Sequence, residues 1–451
     1  MSGARLLDTD RALLLELLGI PTAGPLETGP DDPPARLWEA QHAFLDAASD
    51  LGLVPVHHAA AKPEELRRDD VPVSVRRAVD ATPGFLDSQP SLVLRLGPPL
   101  PRGATVMFNV HLDTVAGLEP VGFDGARFYG RGAIDAKGPA VALLAGIRAA
   151  LRVEPAVIGT DVGVLIQAVA GEEGGAMGTL GTRPLVERGF VGRLNVFCEP
   201  TGLRYLPRAT AAATARVRVD GRDAIDDRPD QGHNASVLLG FLAQHLGLAL
   251  APCLTEGRVC VAGLRTGGLH NRVYGTGELL VNLSYSSSAA GRRLESAFAA
   301  ALSEGLEEFS RRFARSREFA LTAAEAASVT RLEWLKRGLP TLACADPWAE
   351  TLLERDAGLA RWPDDEPALT CDAIWMDRAP EAFTIVCGPG DLAANNAHAA
   401  GEYADQADLE RFAAVVARIL VGFARRQSAG REDRHDPGET RISTPTGPGR
   451  P

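Results

Sequence analysis

The chain is 451 residues long, 45% hydrophobic and 23% charged, which excludes a disordered protein and leaves room for a large core with an accessory module. Its formal net charge of -11 argues against nucleic acid as a partner, since phosphates call for clustered Lys and Arg. Asp8, Asp10 and Glu16 break the apolar run near the start, no small-residue cleavage site follows, and no stretch reaches the roughly 18 uninterrupted apolar residues of a membrane span. A cytoplasmic protein without membrane contact is therefore expected.

Apolar residues at helical spacing predict helices over 10–18 and 37–51, the second stopped by Gly52. Short apolar runs bounded by Gly and Pro predict strands over 90–96 and 105–110. An Ala- and Leu-rich helix over 138–151 and a β-branched strand over 161–170 follow, and this alternation indicates an α/β layered domain. Past Glu199 and Pro200 the character changes to a strand over 209–219, a helix over 235–246 and a strand over 278–285, which fits a smaller α+β module. A helix over 292–313, a strand over 383–387 ending at Gly388-Pro389-Gly390, and a closing helix over 407–425 complete the pattern. Six cysteines (Cys198, Cys253, Cys260, Cys344, Cys371, Cys387) lie far apart with no C-x-x-C pair and read as reduced thiols.

The polar residues at strand ends carry the chemistry. His111-Leu112-Asp113 follows the strand 105–110, and residues two apart on an extended chain share a side, so Asp113 is placed to take the second N–H of a metal-bound imidazole. Asp135 lies in the glycine-rich turn Gly130-Arg131-Gly132-Ala133-Ile134-Asp135-Ala136-Lys137-Gly138. Taken alone it reads as a helix cap, while such a turn also lets backbone approach an ion closely. Glu172 and Glu173 end the strand 161–170, where open α/β sheets place ligands; one can bind metal while its neighbour takes a proton, or both can lie on a solvated loop. Glu199 stands at a further strand end and His398 in the loop after Gly390. Each is more often structural than catalytic when met singly; His, Asp, Glu, Glu and His at successive strand ends make a metal site.

The motifs HLD, GRGAIDAKG, GEEGG, CEPT and AHAAGEY, in that order, resemble the metallopeptidase family of aminoacylase, acetylornithine deacetylase, succinyl-diaminopimelate desuccinylase and similar carboxypeptidases, over about 13–420. Thr370-Cys371-Asp372-Ala373 and Gly388-Pro389-Gly390 are similar to that family's C-terminal landmarks. The resemblance implies that Asp135 bridges a pair of divalent ions, with His111 and Glu199 completing one site and Glu173 and His398 the other. It also implies that Glu172 is the general base acting on the bridging water, and that Asp113 orients His111. Zinc is the expected metal, with cobalt and manganese also compatible with such ligands.

The implied fold is α/β and two-domain: a zinc-exopeptidase-like catalytic domain with a central mixed sheet, residues 1–206 and 331–426, interrupted by a small ferredoxin-like α+β lid, residues 207–330, through which relatives often dimerise. Residues 427–451, rich in Gly, Pro, Arg, Asp and Thr, are expected to be a disordered tail.

Two positions depart from the family. Where relatives carry an oxyanion-holding His before a Gly-x-Asn-Ala turn, here Gly232-His233-Asn234-Ala235, this chain has Ile225; losing such a donor typically costs about 2.7–4 kcal/mol of transition-state stabilisation. His233 or His270, with Asn234 and Asn271 beside them, are the candidate substitutes for oxyanion or substrate contacts, against the alternative of ordinary surface residues. Ser284 stands where relatives use an arginine to grip a substrate carboxylate, and a serine lacks the charged bidentate fork. The expected function is a metal-dependent amidohydrolase acting on an acyl-amino acid or small peptide. The alternatives are a biosynthetic enzyme of altered chemistry on the same centre, by amide exchange or condensation or with a specialised-metabolite substrate, and a non-catalytic metal-binding relative.

Overall fold

The computed structural model describes residues 4–29, 32–252 and 257–435. A six-stranded sheet lies at its centre, in the spatial order Leu53–Ala60, Pro90–Leu96, Gly163–Val169, Thr105–His111, Leu194–Phe197, Phe383–Val386. The first two junctions are antiparallel and the other three parallel, so the sheet is mixed. The four strands joined in parallel are buried along their whole length, which explains why they read as near-continuous apolar runs. Their C-terminal ends share one edge, and the loops leaving that edge carry His111, Glu172, Glu173, Glu199 and, further along, His398.

One face of this sheet is covered by helices Asp8–Gly19, Leu37–Ser49, Lys137–Val153 and Gln406–His435, whose Leu14, Phe44, Val141 and Phe412 join strand residues Phe108 and Ile166 in a single core. The central helix pair packs closely at Gly146, where a Cβ would come within 2.6 Å of the Ala413 carbonyl oxygen.

On the other face the apolar packing continues into a second sheet. Its antiparallel order is Gly257–Arg265, Thr276–Tyr285, Ala211–Asp220, Thr330–Lys336, with helices Ala235–Ala249 and Ser288–Phe313 inserted in a strand–helix–strand–strand–helix–strand sequence. Helix Ala320–Val329 is added before the last strand.

Three expectations shift. The last strand of this layer runs to Lys336, past the boundary set at 330, because 331–336 pair with the strand Ala211–Asp220. Strands Leu53–Ala60 and Gly257–Arg265 were not expected; both are edge strands, and their apolar residues, such as Val54, Val261 and Leu264, stay exposed, so no alternation between core and solvent marks them. The closing helix continues beyond Gln427 to His435, so the expected tail starts within a helix; 436–451 and Cys253 lie outside the described residues.

Candidate metal centre

His111 is fully buried at the end of its strand, and its Nδ1 donates to the Asp113 carbonyl oxygen at 2.9 Å. A carbonyl can only accept, so Nδ1 carries a proton, and Nε2 faces Asp135 Oδ1 at 2.9 Å and Glu199 Oε1 at 3.7 Å. The role expected of Asp113 is therefore divided. Its main chain orients the ring, while its carboxylate, with Oδ1 3.8 Å from Nδ1, turns to the neighbouring loop and accepts the N–H groups of Gly171 and Glu173 through Oδ2, both at 3.1 Å. The carbonyl two residues on lies within reach of the ring, which leaves the Asp113 side chain for another task.

The loop bearing Glu172 and Glu173 is a closed glycine turn. Gly171, Gly174, Gly175 and Gly178 have φ of 70°, 67°, 69° and 65°, and the Gly178 N–H returns to the Gly171 carbonyl at 2.8 Å. A Cβ on Gly178 would meet the Asp372 Cβ at 2.4 Å, and the Trp375 indole N–H donates to the Met177 carbonyl at 2.6 Å. The short helix Asp372–Arg378 thus clamps the glutamate loop. Asp372 is itself wholly buried, accepts the Thr182 hydroxyl through Oδ2 and leaves Oδ1 without a partner. In sequence Asp372 stands out only as part of the landmark Thr370-Cys371-Asp372-Ala373, an acid beside apolar neighbours.

His398 reaches in from the loop after Gly390, at φ 62°, and its Nε2 lies 3.0 Å from Asp135 Oδ2 and 2.8 Å from Glu173 Oε1. One ring nitrogen cannot donate to both carboxylates, and Glu173 Oε1 is left without a well-aligned hydrogen bond. The candidate ligand atoms fall into compact triads, each within 4.8 Å: His111, Asp135 and Glu199; Asp135, Glu173 and His398; and His111 with Glu172 and Glu173. Asp135 belongs to both of the first two, one oxygen turned to each histidine.

The electrostatics demand positive charge. Burial, then the Glu199 and Glu173 carboxylates, push Glu172 well above the usual carboxylate range, and burial together with Asp135 pushes Glu173 to about 7. Burial acts to raise Asp135 as well, but hydrogen bonds from His111 and His398 override it and hold this acid low. The hydrogen bond to Asp135 and the adjacent Glu173 carboxylate raise His398 to about 10; for His111, burial acts to lower it, but Glu199 and Asp135 outweigh that and raise it. A divalent cation between these groups offsets the same crowding, and mixed imidazole and carboxylate donors suit such an ion. The buried, unpartnered Asp113 Oδ1, Glu173 Oε1 and Asp372 Oδ1 fit a charge-rich centre of that kind.

A model of peptidase family M20/M25/M40 matches residues 107–421, a span that contains every residue of this cluster. The chain belongs to that family. This M20 chain is 31% identical over 254 residues to a protein of Aeropyrum pernix provisionally named a LysW-lysine/LysW-ornithine hydrolase. That match covers 54% of this chain and 63% of the relative, less than two thirds of its length. Among solved structures, an aminopeptidase of Bacillus cereus covers 94% of this chain and all 100% of its own with a TM-score of 0.65 at 16% identity. A dinuclear metal-binding M20 peptidase of Bacillus subtilis covers 92% of this chain and 98% of its own with a TM-score of 0.58 at 10% identity. At these identities the likeness is one of fold. Family and cluster together indicate divalent metal as the cofactor of this M20 chain.

The four expected substrate contacts are not drawn into the cluster's hydrogen bonds. His233 is 2% exposed, its Nδ1 accepts the Arg222 N–H at 2.8 Å and its Nε2 meets Glu325 at 3.1 Å. Asn234 caps the helix Ala235–Ala249 by accepting the Val237 N–H. His270 and Asn271 are exposed, just before the short strand Arg272–Val273. Ile225 is 60% exposed and pairs with Arg272, while Ser284 lies between Ala212 and Arg258 on the neighbouring strands. No helix among the described residues is long and apolar enough to cross a membrane.

Proposed function

We propose that the chain is a metal-dependent amidohydrolase that cleaves a linear amide in an acyl-amino acid or small peptide. The observation that carries this reading is Asp135, which turns one carboxylate oxygen to His111 and the other to His398 with Glu199 and Glu173 beside them. His111, Asp135 and Glu199 are the proposed holders of one zinc ion, and Asp135, Glu173 and His398 of another. Such a pair, when bound, supplies a Lewis acid that acidifies water and polarises the scissile carbonyl.

Glu172, beside both triads and raised by its surroundings, takes the proton of the attacking water and returns it to the departing amine nitrogen. Asp113 holds the loop on which Glu172 stands, so the base stays in line with the reacting carbonyl. We assign the four-stranded layer to the role of accessory lid domain.

The test is turnover of a panel of N-acetyl and N-succinyl amino acids, dipeptides and tripeptides with zinc or cobalt supplied. Wild type is expected to cleave at least one class, and Glu172→Gln to lose about 10²–10⁴ in kcat while still binding metal; equal turnover by the two proteins contradicts the reading. Amide exchange or condensation on the same centre is the second reading, supported by Ile225 and by the engagement of His233 away from the cluster. Mass analysis of products with and without an added amine acceptor separates the two.

A further inference from the structure

Two loops far apart in sequence meet at the centre: the turn 130–136, which carries Asp135, and the loop 391–402, which carries His398. Neither side chain stands on a regular helix or strand, yet both must hold their positions to within a fraction of an ångström for a shared ligand set to work. The strand Tyr403–Asp405 pairs antiparallel with Arg127–Tyr129, which brings the end of one loop against the start of the other. Glu402 occupies that junction and is 1% exposed.

Its carboxylate is fully committed. Oε1 accepts the backbone N–H of Ile134 at 3.1 Å and of Asp135 at 3.3 Å, Oε2 accepts Arg131 Nη1 at 2.8 Å, and the Glu402 carbonyl accepts the Gly130 N–H at 3.2 Å. Neutralising Arg131 does not account for this arrangement. Arg131 also donates to the Gly117 carbonyl at 3.2 Å and lies 3.7 Å from Glu119, and Oε1 faces away from the guanidinium toward the turn. A buried ion pair is in addition a poor source of net stability, because desolvation offsets the attraction. What the arrangement does supply is a ring: Asp135 meets His398 at 3.0 Å, the chain runs on to Glu402, and Glu402 returns to the Asp135 N–H.

We propose that Glu402 is a positioning residue that locks Asp135 and His398 into one unit and so sets the affinity of the ion held between them. This rests on the two-ion reading above. Partners of this kind, one step outside the ligand shell, typically govern about 10–100-fold in metal affinity.

The experiment strips the full chain of metal with a chelator and titrates cobalt(II) alone into wild type, Glu402→Gln and Glu402→Asp, followed by calorimetry and by visible absorption. Gln keeps the length but presents an amide N–H₂ where an acceptor is needed; Asp keeps the charge but falls short of the turn. In both variants one ion is expected to bind about 10–100-fold more weakly with a changed cobalt spectrum, while the other, held by His111 and Glu199 with Asp135, changes far less. Unchanged affinities with an unchanged spectrum overturn the inference, as does equal weakening of both ions, which would make Glu402 a partner of Asp135 alone. Variants that lose their circular-dichroism spectrum before metal is added also overturn it and assign Glu402 to the fold. Wild type that takes up no cobalt refutes the two-ion reading itself and this inference with it.

Discussion

The Asp113 carboxylate accepts the backbone N–H of Glu173 at 3.1 Å, which makes the loops carrying His111 and Glu173 a single construction. Asp113→Ala removes that acceptor and the one for Gly171, but leaves the main-chain carbonyl that orients His111. Metal affinity should fall about 10–100-fold, mainly for the ion that Glu173 would hold, as read by calorimetric titration of the metal-stripped protein. Loss confined to the ion on the His111 side would show that the carboxylate serves the histidine after all.

His233 belongs to the small layer's framework. With Nδ1 accepting a backbone N–H and Nε2 on Glu325, His233→Phe leaves the Arg222 N–H without its partner and should lower stability by about 0.5–1.5 kcal/mol while kcat on a cleaved substrate stays within about twofold. Urea unfolding and steady-state kinetics read the two quantities separately. A large fall in kcat with intact stability would restore His233 as an oxyanion group.

Gly178 tests the glutamate loop. At φ 65° a side chain is strained, and its Cβ would stand 2.4 Å from that of Asp372. Gly178→Ala should therefore cost about 2–4 kcal/mol and weaken metal binding together, measured by denaturation and titration. A change under about 0.5 kcal/mol would mean that the loop shifts freely and is not clamped.

Asp70 gives a pH-dependent prediction away from the metal centre. Burial tends to raise its carboxyl, but hydrogen bonding to Arg378 and the charges of Arg183 and Arg68 hold it below the ordinary value. Arg183 and Arg378 in turn lie over the Trp375 ring that pins the glutamate loop. A depressed carboxyl contributes stability in full above its unfolded pKa of about 3.9 and loses it as pH falls through the folded value. Asp70→Asn should be less stable than wild type by about 1–3 kcal/mol at pH near 7, with the gap held down to about pH 5 and closing below about 3.9. Urea unfolding across that range checks it, and a gap that widens in acid would contradict the assignment.

The central sheet was legible because its parallel strands are buried on both faces and spell near-continuous apolar runs, and because the polar residues that end them stand out against that background. Hence His111, Glu172, Glu173 and Glu199 could be named with their strands. His398 could be named in the loop after Gly390, but its pairing with Glu173 came only through the family motif, since it sits at a positive φ in a loop with no periodicity. The edge strand Gly257–Arg265 was not legible, because its apolar residues Val259, Val261 and Leu264 do not alternate with polar ones and remain partly to largely solvated. The division of labour in Asp113 was hidden too: alternation along a strand says which side a carboxylate faces, not whether a carbonyl two residues on reaches the ring first. Nor does sequence tell that His233, in a turn suggestive of substrate contact, is spent on Arg222 and Glu325.

The most direct measurement is the number of divalent ions retained per chain after dialysis against buffer with trace zinc, by elemental analysis, for wild type beside His398→Ala. About two ions are expected for wild type and about one for the variant, whose His111, Asp135 and Glu199 remain in place. A wild type that retains none, or a variant that retains as many as wild type, would contradict the dinuclear centre.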